Sequence, residues 1–425
     1  MNGKTKFLIV ALATCMAMPA SAQRLGREKP KDALPDDMSR NTETTTTSAA
    51  TTTTGRKLDI SKGAQKAIVE LQTAVTANDV ATIPAKLVAA RAVAKTNDDK
   101  FIIASIQTKA ALSANDNAAI QAGVEAMQAS GSAENPDLAA RYSDLGKRYK
   151  AAGQVDQSVA MLNKSLAIDP NNVGALINLA AIKESQGLKA EAVTLMQKSF
   201  IASKATGKKV EEGNYKFAAG LAYAQRMPLA NDLARQWYAA YPSPASMRDS
   251  LRIYRDLNRP PQAQLIDLLR LGRAANALSG ETDYFALGSA LVNAGKLAEA
   301  KSLMVEAKTA PKVDTTKSAF TDVVKKAAAA PARAAIDASA KAALASGNGK
   351  AMIDAGDGLY GVGAYAEAVP LYRAALAKGG DANLHLGMAL ARSGDKAGAI
   401  VALNAVTGAN ADVARYWLMW LATQA

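Results

Sequence analysis

Residues 139–170 read AARYSDLGKRYKAAGQVDQSVAMLNKSLAIDP, and the spacing of large and small residues in that stretch decides the fold. Tyr142, Leu145, Gly146 and Tyr149 recur at intervals of three and four, which places them on one face of a helix. Gly153 follows, and then Ser158, Leu162 and Ser165 set up a second helical face before Pro170. Each residue type has a packing reason. Gly146 and Ser158 are small where two antiparallel helices cross closely, and a larger side chain would push the axes apart. Gly153 ends the first helix because glycine accepts a left-handed backbone. Pro170 cannot continue the second helix. The stretch predicts a helix hairpin.

Working outward, the plan recurs. Leu176, Leu179, Ala180, Gly187, Ala192, Met196 and Ser199 form a second unit, and Gly153 to Gly187 is a step of 34 residues. This second unit departs at Lys183, where an aromatic is expected, with Ile182 available to supply the packing. Tyr284, Leu287, Gly288, Leu291, Gly295, Ala300 and Met304 form a third. Gly356, Leu359, Gly363, Ala368, Tyr372 and Ala375 form a fourth, and Leu386, Gly387, Leu390, Gly394, Ala399 and Leu403 a fifth. Residues 211–241 and 246–278 read as degenerate hairpins, and residues 59–130 as paired amphipathic helices without the signature residues. In period and in the Leu-Gly, aromatic, small-residue and closing-proline positions, the chain resembles the tetratricopeptide repeat family. That resemblance implies an all-α fold, an α-solenoid of stacked antiparallel hairpins.

It also implies a binding mode. In the family the first helix of each hairpin lines a concave groove that takes an extended peptide or a helix from a partner. In register, Ser143, Lys147, Lys150, Ile177, Ala181, Glu184, Phe285, Ser289 and Val292 fall on the groove side. Of these, Lys147, Lys150, Glu184, Phe285, Ser289 and Val292 are the candidate partner-binding residues. Ile177 is expected to pack between hairpins, and Phe285 either packs or anchors a ligand. Ser143 and Ile177 stand where chaperone-associated members place polar anchors for a C-terminal carboxylate, so that kind of clamp is not expected.

The 425 residues are 49% hydrophobic but only 5% aromatic, a balance suited to thin two-helix layers. The sequence divides into a leader at 1–22, a Thr-rich disordered linker at 23–58, degenerate hairpins at 59–135 and repeats at 136–310. A helical alanine-rich connector at 311–348, broken at Pro331, leads to repeats and a terminal helix at 349–425. Lys4 and Lys6, the apolar run from Phe7 to Ala13 and the small residues Ala20-Ser21-Ala22 form a secretory signal, with Gln23 the expected mature start. The expectation is an exported, periplasmic protein with no transmembrane segment. Cys15, the only cysteine, lies inside the leader. The alternative reading is a lipid-attachment cysteine, which would make the protein an outer-membrane lipoprotein binding polysaccharide or peptidoglycan. Cleavage at Ala22 leaves no thiol for disulfide, metal or redox chemistry.

Catalytic chemistry is hard to find. The single histidine, His385, reads as a packed or half-exposed helix residue, and no spacing suggests several carboxylates converging on it. The glycines of Gly361-Val362-Gly363-Ala364 fall at a repeat turn rather than after a strand, so no dinucleotide site is expected. Gly347-Asn348-Gly349-Lys350 lacks the Ser/Thr of a phosphate loop. Ser393 and Lys396 have a Ser-x-x-Lys spacing but no companion motif. The expectation is a non-enzymatic scaffold without cofactor or metal. The formal charge of +13 is scattered, with clusters at Lys147-Arg148-Lys150 and between Lys204 and Lys209. That pattern reads as a solvated basic surface or as weak attraction to anionic envelope glycan or glycolipid, and not as a nucleic-acid site; the expected partners are envelope proteins. Finally, residues 411–422 carry Val413, Tyr416, Trp417, Met419 and Trp420, predicting a helix buried against the last hairpin or one that docks a partner or a second copy of the chain.

Overall fold

The structure, a computed structural model, describes residues 58–424. The expected leader, Cys15 and the Thr-rich run lie outside the described residues. Twenty-one α-helices follow one another, with no strand among the described residues. The array opens with α1 (Lys62–Thr76), α2 (Ile83–Val93), α3 (Asn97–Ser113) and α4 (Asn117–Ala129). The hairpins with the clearest sequence pattern are α5 (Asn135–Ala151) with α6 (Val155–Ile168), and α7 (Val173–Ser185) with α8 (Lys189–Ala205). Then come α9 (Glu212–Ala224) with α10 (Leu229–Ala240), α11 (Pro244–Asn258) with α12 (Gln262–Ala274), and α13 (Gly280–Asn293) with α14 (Leu297–Ala307). The chain continues through α15 (Ser318–Ala327) and α16 (Arg333–Ser346). It ends with α17 (Gly349–Gly361), α18 (Tyr365–Ala377), α19 (Asn383–Ser393), α20 (Lys396–Asn404) and α21 (Ala411–Ala422).

The first hairpin read from the sequence closes as its small residues require. A Cβ added to Gly146 would lie 2.7 Å from Leu162 Cγ and 3.2 Å from the Ser158 carbonyl oxygen. Across the same contact Ser158 Oγ donates to the Gly146 carbonyl at 2.7 Å, and Ser165 Oγ to the Ala139 carbonyl at 2.7 Å. A serine here satisfies its own hydroxyl while keeping the helices close. Gly153 sits at φ +75° in the turn. Gly387 repeats the device in α19, with Leu403 Cγ 2.6 Å from where its Cβ would be. In the second unit Ile182 is buried and takes the place left by Lys183, which pairs instead with Glu191 at 2.8 Å.

One expected boundary shifts. Leu58, the last residue assigned to the linker, is 3% exposed and belongs to the folded array. Just beyond it, the buried Asp99 accepts from Ser61 N at 2.9 Å and Ser61 Oγ at 2.7 Å, while also closing a capping box with Thr96. A polar knot thus fastens the start of the array to α3. The connector does not act as one piece: α15 packs on α13 and α14, whereas α16 packs on α17 and α18. The break in the array therefore falls between them, at residues 328–332 around Pro331.

The C-terminal helices do not simply extend the stack. α17 packs on α14, and α21 packs on α10 and α12 as well as on α19 and α20. Tyr238, Leu251 and Tyr254 share one apolar core with Tyr372, Trp417 and Leu421. Tyr238 Oη and Thr423 Oγ1, 185 residues apart in sequence, lie 3.0 Å from each other. The aromatic face of α21 is therefore buried, with Tyr416 and Trp417 fully covered. The helix that suggested docking of a second copy spends that face within its own chain.

Candidate functional site

The array presents two kinds of surface. Odd-numbered helices α5, α7 and α13 carry the residues expected to face a groove, and helices α10, α11, α12 and α14 receive the returning C-terminal segment. Lys147 and Lys150 are exposed on α5, and neither makes an ion pair among the described residues. Glu184 is half-buried on α7, which packs beside α5. Phe285, Ser289 and Val292 lie on α13, well along the array. Phe285 is 38% exposed, with its ring edge-on to Phe320 at 5.8 Å. Val292 and Ile177 pack against core clusters. The candidates thus form two separate patches, one on α5 and α7 and one on α13. Ser143 is not a groove residue: it is buried where α5 meets α7, and a Cβ on Gly174 would come 2.9 Å from its hydroxyl.

The chemistry that the sequence did not reveal sits where the C-terminal segment returns. Arg270 on α12 donates from Nε to Glu299 Oε1 at 2.9 Å and from Nη1 to Asp267 Oδ1 at 3.0 Å. Its second terminal nitrogen reaches Glu299 Oε2 at 2.5 Å. From the other side, Asp357 on α17 pairs with Lys296 and accepts from Tyr372 Oη at 2.7 Å. His385 on α19 bridges the two halves, with Nδ1 2.9 Å from Asp357 Oδ1 and Nε2 3.4 Å from Asp267 Oδ2. The Nδ1 contact is an ion pair rather than an aligned hydrogen bond. Three carboxylates therefore face three cations when His385 is protonated. The expectation that no carboxylates converge on His385 is overturned, because they arrive from helices distant in sequence.

Electrostatics keeps His385, Asp357 and Arg270 charged. Burial alone would strip the proton from His385, but the charges of Asp357 and Asp267 outweigh it and lift its pKa to about 10. Burial would likewise raise Asp357, yet His385, Arg270 and Lys296 hold its carboxyl well below the usual carboxylate range. The Arg270 guanidinium, opposed by burial, is held in its charged form first by Glu299 and then by Asp357, and its Cζ lies 4.8 Å from the Tyr360 ring centroid. The end of α17 presses on the start of α14: a Cβ on Gly361 would lie 2.8 Å from Glu299 Cβ and 3.2 Å from its backbone. Trp417 Nε1 on α21 donates to the Asp267 carbonyl at 3.2 Å. The cluster and the groups bonded to it form a clasp that draws six helices together, α12, α14, α17, α18, α19 and α21.

The residues with weak catalytic resemblance are occupied elsewhere. Ser393 Oγ donates to the Leu390 carbonyl at 3.1 Å, and Lys396 Nζ to the Gln424 carbonyl at 2.5 Å, so they form no Ser–Lys pair. Asn348 caps α17 through Ala351 N at 3.0 Å, and Lys350 pairs with Asp354 at 2.5 Å. No group of three or more His, Cys, Asp or Glu among the described residues is placed to hold a metal ion. No helix there is long and apolar enough to cross a membrane.

No family model matches this sequence, and comparison with curated proteins finds no match. Among solved structures, the chain is similar to YrrB, described as a TPR protein with an unusual peptide-binding site, at 14% identity and TM-score 0.21. That match covers 60% of this chain and 92% of YrrB. It is also similar to the TPR2AB domain of yeast Sti1 in its complex with pHSP90, at 12% identity and TM-score 0.25, over 68% and 100% of the two chains. A third is the Cut9–Hcn1 hetero-tetramer of the APC/C, at 14% identity and TM-score 0.23, over 84% of this chain and 54% of that one. The hairpins are defined by this chain's own helix packing. They make it an all-α solenoid of stacked helix hairpins that closes on itself at its C-terminal end.

Proposed function

We propose that this chain is a non-catalytic, exported scaffold of a bacterial envelope that holds protein partners on the odd-numbered face of its hairpins. The observation that carries this reading is the pair of exposed, unpaired lysines on α5, remote from the helices that the C-terminal segment covers. The C-terminal segment packs on α10, α11, α12 and α14, and it leaves Lys147 and Lys150 on α5 exposed and uncompensated. A rigid surface bearing unpaired charge beside half-buried Glu184 suits recognition of a partner segment by charge and shape. Phe285 offers the α13 patch an aromatic edge of the kind that anchors interfaces. Envelope biogenesis, polymer export or a secretion complex would each supply such a partner.

Crosslinking in intact cells, followed by capture of tagged protein and mass spectrometry, tests this. Envelope or export proteins should be recovered by the native chain, and their yield should fall in a Lys147→Glu, Lys150→Glu, Phe285→Ala variant that still folds. Recovery of glycan or lipid with no protein partner would instead favour the lipoprotein reading. That reading further requires labelled palmitate to enter the native protein and not Cys15→Ala.

A further inference from the structure

On the opposite helix layer, α8 and α10 part to leave an open cleft of about 630 Å³. The loop between α8 and α9 forms its rim and Leu233 part of its floor. Lys204, Lys208 and Lys209 stand around it, and no carboxylate lines it. None of the three lysines makes an ion pair among the described residues; Lys209 instead lies 4.5 Å from the centroid of the Tyr241 ring. Of the acids that follow, Glu211 at the cap of α9 is exposed and pairs with none of the three, and Glu212 is already taken by Lys216 at 2.9 Å and by Trp237 Nε1 at 3.0 Å. Ile201, 70% exposed, stands at the edge among these charges.

Three uncompensated cations around an apolar floor call for an anionic ligand with apolar groups of its own. The ring geometry narrows the class. Phe200 is buried and tilted against Tyr215 at 4.7 Å, and the Tyr241 face is covered by Lys209. Tyr215, which lines the cleft, is engaged by Phe200 and meets Tyr241 edge-on at 6.2 Å, which limits stacking of a sugar or a base, and no carboxylate is there to bind sugar hydroxyls. What the cleft does offer is the apolar side chain of Ile201 and the amides of Gln197 and Gln236, which can hydrogen-bond a peptide main chain. We infer that this cleft is a second docking site, taking an acidic segment of a partner polypeptide with an aliphatic side chain seated between its carboxylates.

The site is distinct from the odd-numbered face, so the two can fail separately. Fluorescence anisotropy of a labelled peptide alternating glutamate and leucine, titrated with the full chain, provides the test. Binding should weaken as salt is raised. It should drop about tenfold or more in a Lys204→Glu, Lys208→Glu, Lys209→Glu variant, as expected when charge-assisted hydrogen bonds are lost. Ile201→Glu should weaken it as well, while Lys147→Glu with Lys150→Glu should leave it unchanged. All four positions are exposed, and an unaltered melting curve would show that each variant still folds. The proposal is overturned if the peptide does not bind or if the triple variant binds it equally. It is also overturned if an acidic polysaccharide binds the native chain as tightly as the peptide does.

Discussion

The hairpins α5 to α8 and the segment α17 to α21 follow the same repeat plan, yet they are held by different means. In α5 to α8 each layer touches its neighbours, and the contacts are small residues in close approach: Gly146 against Leu162, and Ser158 and Ser165 bonding to backbone carbonyls. Stability there is a sum of local terms, as in repeat arrays generally. In α17 to α21 the layers are also tied to α10, α12 and α14, through a shared apolar core and a buried charge cluster. Such a cluster adds little net stability over apolar side chains of the same size, because taking the charges from water costs nearly as much as their pairing returns. Its contribution is to specify which helix faces meet. Local repeats build the length, and the cluster fixes the register of the return.

The comparison breaks most visibly if one charge is removed. Asp357→Ala leaves Lys296, His385 and Arg270 short of a partner in the interior, and breaking a buried pair in this way costs about 3–5 kcal/mol. Hydrogen exchange should then accelerate in residues 349–424 and across α12 and α14, while α5 to α8 keep their protection. Equal loss of protection throughout would show that the two regions unfold as one unit, and no change at all would remove the clasp from the account.

A gentler perturbation is pH. Folding raises the pKa of His385 from 6.5 to about 10, so the folded state holds the proton more tightly than the unfolded chain does. The resulting stabilisation is complete below pH 6.5 and is lost as pH rises toward about 10. The slope is about 1.4 kcal/mol per pH unit inside that window, or about 3 kcal/mol between pH 7 and 9. Denaturant melts at the two pH values should show the loss in the native chain. A His385→Gln variant should be less stable at pH 7 and nearly flat with pH. A native chain equally stable at both would mean that the histidine proton is not part of the clasp.

The two regions also differ in how well the sequence announces them. The turns at Gly153 and Gly187, the Gly146–Ser158 crossing and the extent of α21 are legible because each is written within one or two helical periods. The clasp is spread from Asp267 to His385, and on their own helices Glu299 and Lys296 read as ordinary surface charges. One signal was available. Asp267 and Arg270 sit within Leu265-Ile266-Asp267-Leu268-Leu269-Arg270-Leu271, a run apolar around the whole helix, and a helix of that kind must be buried on all sides. Charges embedded in it need partners from elsewhere in the chain. Which partners arrive depends on long-range packing, which no local period encodes. The same limit explains why the expected groove residues divide into two patches, since register along a hairpin is local and the distance between α7 and α13 is not.

The smallest expected effect lies in the local region and sharpens the comparison from the other side. Gly146→Leu places a branched side chain where even a Cβ would meet Leu162 at 2.7 Å. Leu162 is fully buried and has little room to retreat. Overpacking of this kind costs about 1–3 kcal/mol, partly offset by the better helix propensity of leucine over glycine. Because α5 and α6 touch only adjacent layers, the damage should stay near them: faster exchange in residues 135–185, and undisturbed protection in residues 349–424. If this substitution loosened α17 to α21 as much as Asp357→Ala does, nearest-neighbour coupling would fail as a description of the first region. An unchanged melting curve would count against the helix crossing itself, since nothing else in the hairpin depends on the missing side chain of Gly146.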